Sequence, residues 1–237
     1  MYIFELYHNT IKLFAEKMPL LVPRAEEPEV WHTTSIKHYP RFKKISLPVP
    51  QEISTSLSDS LVLRTSAKQF TQPFTLSALS SLLFFSLGEK QGEQKRMYPS
   101  AGARYPLEFY ILIFKPIETL ETGVYHYSVT DHTLTCIHKR SFSHTERRGL
   151  TMYDFTADAH CAIIFTATPR RTSVKYGEYS YRLMLIEAGA VAQNLSLCAA
   201  SLNVGSVNIA GIASDVCESL LDIDGEHETV IHSMFFG

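Results

Sequence analysis

The sequence predicts an α+β fold, with a mixed and mainly antiparallel sheet flanked by helices. Strand-like and helix-like runs occur without the regular βα alternation of a parallel, doubly wound sheet. A segment from about residue 178 to 202 has the length and apolar content of a long central helix. The 237 residues, 45% hydrophobic with 27 aromatics, are ample for one sizeable core.

Taken in order, residues 1–56 read as an N-terminal arm. Ile3, Phe4, Tyr7, Ile11 and Phe14 suggest one short amphipathic helix. Pro19, Pro23, Pro28, Pro40, Pro48 and Pro50 then forbid a long helix and suit an extended arm on a larger body. Residues 57–237 form the main domain. Its first clear element is a helix with Thr75 as N-cap, Leu76, Leu79, Leu82 and Leu83 on its apolar face, and Gly88 as its stop. LEFYILIF (107–114) is near-continuously apolar, as in a strand buried on both faces. GVYHY (123–127) and LTCI (134–137) read as an antiparallel pair around Asp131, and a helix is expected over much of 142–154. HCAIIFTAT (160–168) is another buried strand. In the long helix, Leu183, Ile186, Ala190, Gln193, Leu197 and Ala200 share a face, as in a helix central to a domain or dimer. SVNIA (206–210), a helix near 214–221 and a strand at 228–236 complete the chain.

Charge is unevenly placed. The overall net is −2, which gives no case for nucleic-acid binding. No Lys or Arg follows Arg182, so the last 55 residues carry −7, while the first 182 carry 22 cations against 17 anions. Cations for an anionic cofactor must therefore come from the first three quarters of the chain. The four cysteines include no CxxC pair, and free thiols in a cytoplasmic protein are expected. The apolar stretches look too short to span a bilayer, so no membrane association is expected.

Familiar signatures for dinucleotide, P-loop, zinc-protease and serine-hydrolase chemistry are absent. His126, His132, His138 and His144 recur at intervals of six without a carboxylate fixed beside them, so individually hydrogen-bonded histidines are expected and no metal site. Three clusters carry more weight. Arg64, Ser66 and Lys68 alternate, so an extended segment offers two cations and a hydroxyl on one side. Pro99, Ser100, Ala101, Gly102, Ala103, Arg104, Tyr105 and Pro106 let backbone N–H groups approach a ligand closely. Lys175 and Tyr176 precede a helix carrying Arg182, Glu187, Gln193 and Asn194, polar residues that want partners.

The ordered set resembles the FMN-dependent nitroreductase-like superfamily, in its SagB-type or azoline-oxidising branch. The resemblance runs from Tyr7-His8-Asn9-Thr10 through Arg64-Thr65-Ser66-Ala67-Lys68-Gln69-Phe70 and Tyr98-Pro99-Ser100-Ala101-Gly102. It continues through Lys175-Tyr176-Gly177-Glu178 and Glu187-Ala188-Gly189 to Phe236-Gly237. It implies a nitroreductase-like fold and a homodimer with FMN at the interface. Arg64, Ser66 and Lys68 match the segment that embraces the cofactor, and Arg104 is a further available cation. Pro99, Ser100, Ala101 and Gly102 match the loop lining the flavin from the second subunit. Glu187, Ala188 and Gly189 match the turn of the central helix near the reactive edge.

Lys175 and Tyr176 resemble the pair linked to catalysis in azoline dehydrogenases, which oxidise peptide thiazolines or oxazolines to azoles with dioxygen as final acceptor. Either residue could be the base. Both reach one substrate only if this segment bends as a loop. A heterocyclised precursor peptide and a cyclodehydratase complex are the implied partners. The alternatives are an NAD(P)H-driven reductase of nitroaromatics or quinones, and a flavin-binding scaffold subunit.

Overall fold

In the computed structural model, residues 3–12, 26–32, 36–72, 74–90, 93 and 95–237 are described. The arm holds helix α1 (Ile3–Ile11), a short 3-10 turn (Glu29–Trp31) and strand β1 (Lys44–Ser46). Phe14, Pro19 and Pro23 lie outside the described residues. Then follow α2 (Leu57–Leu63), α3 (Leu76–Leu87), a small hairpin of β2 (Glu89–Lys90) and β3 (Lys95–Arg96), β4 (Leu107–Ile113), β5 (Gly123–Ser128) and β6 (Thr133–Lys139). The remainder is α4 (His144–Arg148), β7 (Cys161–Ala167), α5 (Arg170–Tyr176), α6 (Ser180–Ser201), β8 (Ser206–Ile209), α7 (Ser214–Leu221) and β9 (Thr229–Phe236).

Seven strands form one sheet in the order β1-β6-β5-β4-β7-β9-β8, and each neighbouring pair is antiparallel. The fold is thus α+β, as the pattern of runs implied. Successive β4 side chains alternate faces. Phe109 and Ile111 pack beneath α3 and α6, whereas Tyr110 and Leu112 meet Phe142, Leu150 and Leu221 on the other face. Burial on both sides explains the unbroken apolar run. Strand β1, supplied by the arm, is an edge of this sheet.

Helix α3 begins where expected, with the Thr75 side chain accepting from the Ala78 N–H at 3.1 Å. It ends at Gly88, whose φ of −60° is not left-handed. Glycine is required there by proximity, since a Cβ would lie 2.4 Å from the Phe84 carbonyl oxygen.

Four expectations change. The helix expected over 142–154 is only α4, opened by a Ser143–Glu146 capping box. It stops at Gly149 because Thr151 leaves to bridge Ile212. Helix α5 places Lys175 and Tyr176 at a helix end rather than in a loop, and Gly177 at φ 53° breaks it from α6. The face of α6 shared by Leu183, Ile186 and Gln193 is its outer one; Met184, Glu187, Ala188, Val191 and Leu195 are buried. Finally, the stretch 170–201 is long and apolar enough to cross a membrane by length and composition, contrary to the sequence reading. Here α6 lies on the sheet as a core helix.

Candidate functional site

Two of the sequence clusters meet at one end of α6. Glu187, in its third turn, points inward to the loop that precedes β4. The Ser100 hydroxyl donates to Glu187 Oε2 at 2.5 Å and accepts from the Tyr105 N–H at 2.8 Å. Glu187 Oε1 is buried with no hydrogen-bond partner among the described residues. Burial pushes the Glu187 carboxyl up to about 7, against the opposing pull of Ser100, Arg96 and Arg171. Its neighbours divide differently: Ala188 is core, while Gly189 is exposed with nothing within 4 Å of a notional Cβ.

The loop is bent sharply. Gly102, Ala103 and Tyr105 have φ values of 58°, 53° and 43°. A Cβ on Gly102 would lie 2.6 Å from Tyr176 Oη and 3.5 Å from Lys175 Cδ. The candidate catalytic pair and the candidate cofactor loop are therefore in contact, although the pair ends a helix. Tyr176 Oη makes no hydrogen bond to another described residue, whereas Lys175 Nζ donates to Glu27 at 3.0 Å. Arg104, expected as a free cation, is buried with its guanidinium donating to the carbonyls of Arg171 and Trp31. Its role in this geometry is to tie the arm to α5.

A cleft of about 880 Å³ opens beside these groups, walled by Gly102, Tyr105 and Lys175, by the β2–β3 hairpin, and by Glu27 and Trp31 of the arm. Arg96, Glu27 and Trp31 were not singled out from the sequence. Arg96 is buried; it donates to Tyr98 at 2.6 Å and lies 4.8 Å from the Tyr105 ring centre. Arg171 is buried as well, paired at 2.5 Å with Glu108, which also meets His126 at 2.8 Å. Burial alone would raise the Glu108 carboxyl; His126 and Arg171 reverse this and hold it at about 2.

The third cluster lies elsewhere. Arg64 caps the end of α2, and Ala67 N–H donates to Ser206 on the edge strand β8. Ser66 and Lys68 are exposed, and neither they nor Arg64 bond another described side chain. Helix α2 is fixed to the far end of α6 by a 2.7 Å Ser60–Ser201 contact. Ser201 is 14 residues beyond Glu187, roughly 21 Å along the helix axis. One chain thus carries the two parts of the expected cofactor site at opposite ends of α6. Just before Glu187 the helix exposes Leu185 and Ile186, and α2 exposes Leu61 and Val62.

This sheet, with a long helix across it and a strained loop at the helix's side, defines a nitroreductase-like oxidoreductase fold. Residues 62–237 match the Nitroreductase family. MJ1384 of Methanocaldococcus jannaschii, which bears a nitroreductase name, is 33% identical over 76% of this chain and 90% of its own. The trifolitoxin-processing protein TfxB of Rhizobium leguminosarum bv. trifolii is 29% identical, covering 75% of this chain and 45% of its own. The microcin B17-processing protein McbC of Escherichia coli is 26% identical, over 62% and 55%. A crystal structure of a nitroreductase-like protein from Ralstonia eutropha JMP134 superposes with a TM-score of 0.70 at 26% identity, covering 82% of this chain and 88% of that one. A chain of the E. coli microcin synthetase McbBCD complex shares the fold over 99% of this chain and 91% of its own, with a TM-score of 0.63 at 21% identity. The chain belongs to the Nitroreductase family, whose members generally bind flavin. The trifolitoxin-processing and microcin B17-processing relatives agree with the SagB-type resemblance of its motifs.

Proposed function

We propose that this chain is an FMN-dependent dehydrogenase that oxidises thiazoline or oxazoline rings in a peptide to azoles, with dioxygen as final electron acceptor. The observation that carries the reading is the contact of Lys175 and Tyr176 with the Gly102 loop beside a cleft with room for a peptide segment. The names of TfxB and McbC, tied to the processing of trifolitoxin and of microcin B17, support it.

The residues present fit a flavin. Glu187 Oε1 has an unused acceptor position, Gly102 leaves backbone open to a close neighbour, Ser66 and Lys68 are exposed and Arg64 is partly so. When bound, FMN supplies the hydride acceptor. Arg64 and Lys68 offer charge to its phosphate, and Ser66 a hydroxyl. Pro99, Ser100, Ala101, Gly102 and the turn of Glu187, Ala188 and Gly189 line the ring from a second copy. A two-fold arrangement running α6 against its copy brings the separated parts together and covers Leu185 and Ile186.

Oxidation breaks two C–H bonds on adjacent ring carbons; one leaves as hydride and the other as a proton. The Lys175 nitrogen is already engaged by Glu27, so Tyr176, acting as its phenolate, is the group that receives the proton. Lys175 places its charge beside that phenol. The azoline itself must come from a cyclodehydratase acting on the same precursor peptide, in the cytoplasm.

The purified protein is expected to be yellow, and a heterocyclised peptide to bleach it under anaerobic conditions. Lys175→Ala and Tyr176→Phe should retain flavin and slow that bleaching at least ~100-fold. Similarity to MJ1384 favours a second reading, reduction of small acceptors by NAD(P)H. Steady NADPH oxidation with no peptide requirement would select it. A colourless protein that gains no thermal stability from FMN would sink both and leave a scaffold subunit.

A further inference from the structure

Residues 26–32 make more contacts with the site than the Glu27 bond that engages Lys175. The turn Glu29–Trp31 buries no side chain fully, so a hydrophobic core does not hold it. Its ties run to the end of α5 instead. The Trp31 indole N–H donates to the Val174 carbonyl at 3.0 Å, and Arg104 donates to the Trp31 carbonyl at 2.7 Å. Glu27 pairs with Lys175 at 3.0 Å, with side chains only 16% and 17% exposed. The Lys175 nitrogen also lies 5.1 Å from the Trp31 ring centre. A shielded ion pair and a cation–π contact fix an ammonium more firmly than an exposed pair does. The same residues wall the cleft opposite Gly102 and Tyr105.

We propose that Glu27 is a positioning residue that holds Lys175 beside Gly102, and that Trp31 is a specificity-determining residue whose flat face receives the substrate ring. The proposal rests on the reading of Lys175 and Tyr176 as the substrate-facing pair. An indole face suits a five-membered ring flanked by amides, being apolar on its surface and fixed through its N–H. A strap without buried side chains opens locally at small cost, so a peptide can enter by parting it from the Gly102 loop.

Trp31 is the only tryptophan of the chain, so intrinsic fluorescence of the full-length, flavin-loaded protein reports on the strap. Glu27→Gln and Lys175→Met should each raise the acrylamide quenching constant of Trp31 about twofold, with Glu27→Asp restoring most of the protection. Unchanged quenching in both overturns the clamp, whatever the enzyme oxidises. With a heterocyclised peptide, Trp31→Ala should raise KM about tenfold and leave kcat within about threefold, with Trp31→Phe restoring KM. Glu27→Gln should instead lower kcat. A Trp31→Ala effect confined to kcat, or no effect, overturns the specificity role. If quenching responds but the wild type oxidises no azoline, the clamp stands, and the specificity role falls with the functional reading.

Discussion

Adding a single methyl group at Gly102 tests whether Tyr176 works where it stands. In Gly102→Ala the residue must keep a φ of 58°, which costs an L-residue about 1–2 kcal/mol. The new Cβ would also lie 2.6 Å from Tyr176 Oη, some 0.8 Å inside the ordinary contact distance of 3.4 Å. That oxygen is the far end of a half-buried side chain, so the clash is relieved by moving Tyr176 rather than by unfolding the loop. The stability loss is then the backbone cost alone, and at about 2–4 °C per kcal/mol the melting temperature falls by roughly 2–8 °C. Catalysis should suffer more, because a displacement near 1 Å can cost about 100-fold. The assay pairs thermal unfolding by circular dichroism with anaerobic flavin bleaching by a heterocyclised peptide. In a Tyr176→Phe background the Oη is gone, so the methyl should cost little further rate. A melting temperature lowered as calculated, with bleaching within threefold of wild type, would refute the placement of Tyr176 at the reacting centre.

Other changes follow from the same geometry. Glu187 ionises in the folded state near 7, above its ordinary 4.5, so its contribution to stability is complete below about pH 4.5 and is lost as pH rises through 7. Glu187→Gln should remove roughly 3 kcal/mol of that slope, read as the difference in urea midpoint between wild type and variant across pH 4.5–8. Ser100→Ala removes the donor that favours the Glu187 carboxylate, and should cost about 1–3 kcal/mol by urea unfolding. Glu108 behaves oppositely: its folded pKa of about 2 gives stability above pH 4.5 that disappears as pH falls towards 2. Arg171→Met strips a partner from this buried carboxylate and should cost about 3–5 kcal/mol in the same assay. Arg64→Ala and Lys68→Ala, at partly or fully exposed positions, should weaken FMN retention in a salt-dependent way, measured by fluorescence titration, while moving stability by only about 0.5 kcal/mol.

The sheet and the two main helices were legible because they bury continuous apolar faces and are punctuated by caps. Thr75 and Gly88 bracket α3, and the runs at 107–114 and 160–168 are strands buried on both sides. Two helices were not legible. Helix α2 exposes Leu57, Leu61, Val62 and Leu63, so it shows no core-facing period. Helix α5 is seven residues long, opens on Pro169 without a side-chain cap, and buries Arg171, a residue that reads as surface. The three site clusters were visible as local chemistry, but their pairing was not. Ser100 and Glu187 are 87 residues apart, and Glu27 and Lys175 are 148 apart. Only the fold sets such distances, and it also showed that Arg104 already has partners within the protein.

The loop at 102–105 explains why so many buried cations crowd this end of the molecule. Ala103 and Tyr105 both have positive φ, a conformation that costs each about 1–2 kcal/mol and persists only where neighbours over-determine it. Tyr105 is gripped at every polar atom. Its N–H donates to Ser100, its carbonyl accepts from Arg171, and its hydroxyl accepts from the Arg96 N–H. The Arg96 guanidinium lies over its ring as well. Arg171 is itself held by Glu108, whose carboxylate the His126 contact keeps charged. The strain is thereby carried by a polar network anchored on β4 and β5, rigid strands at the centre of the sheet. A simple connection into β4 would need none of this. What the strained path achieves is to turn the backbone of Gly102 and Ala103 out to the cleft while leaving Ser100 turned in to Glu187. The cost in strain is explained by the two groups it presents together: an exposed stretch of backbone and a buried carboxyl poised near neutral pH.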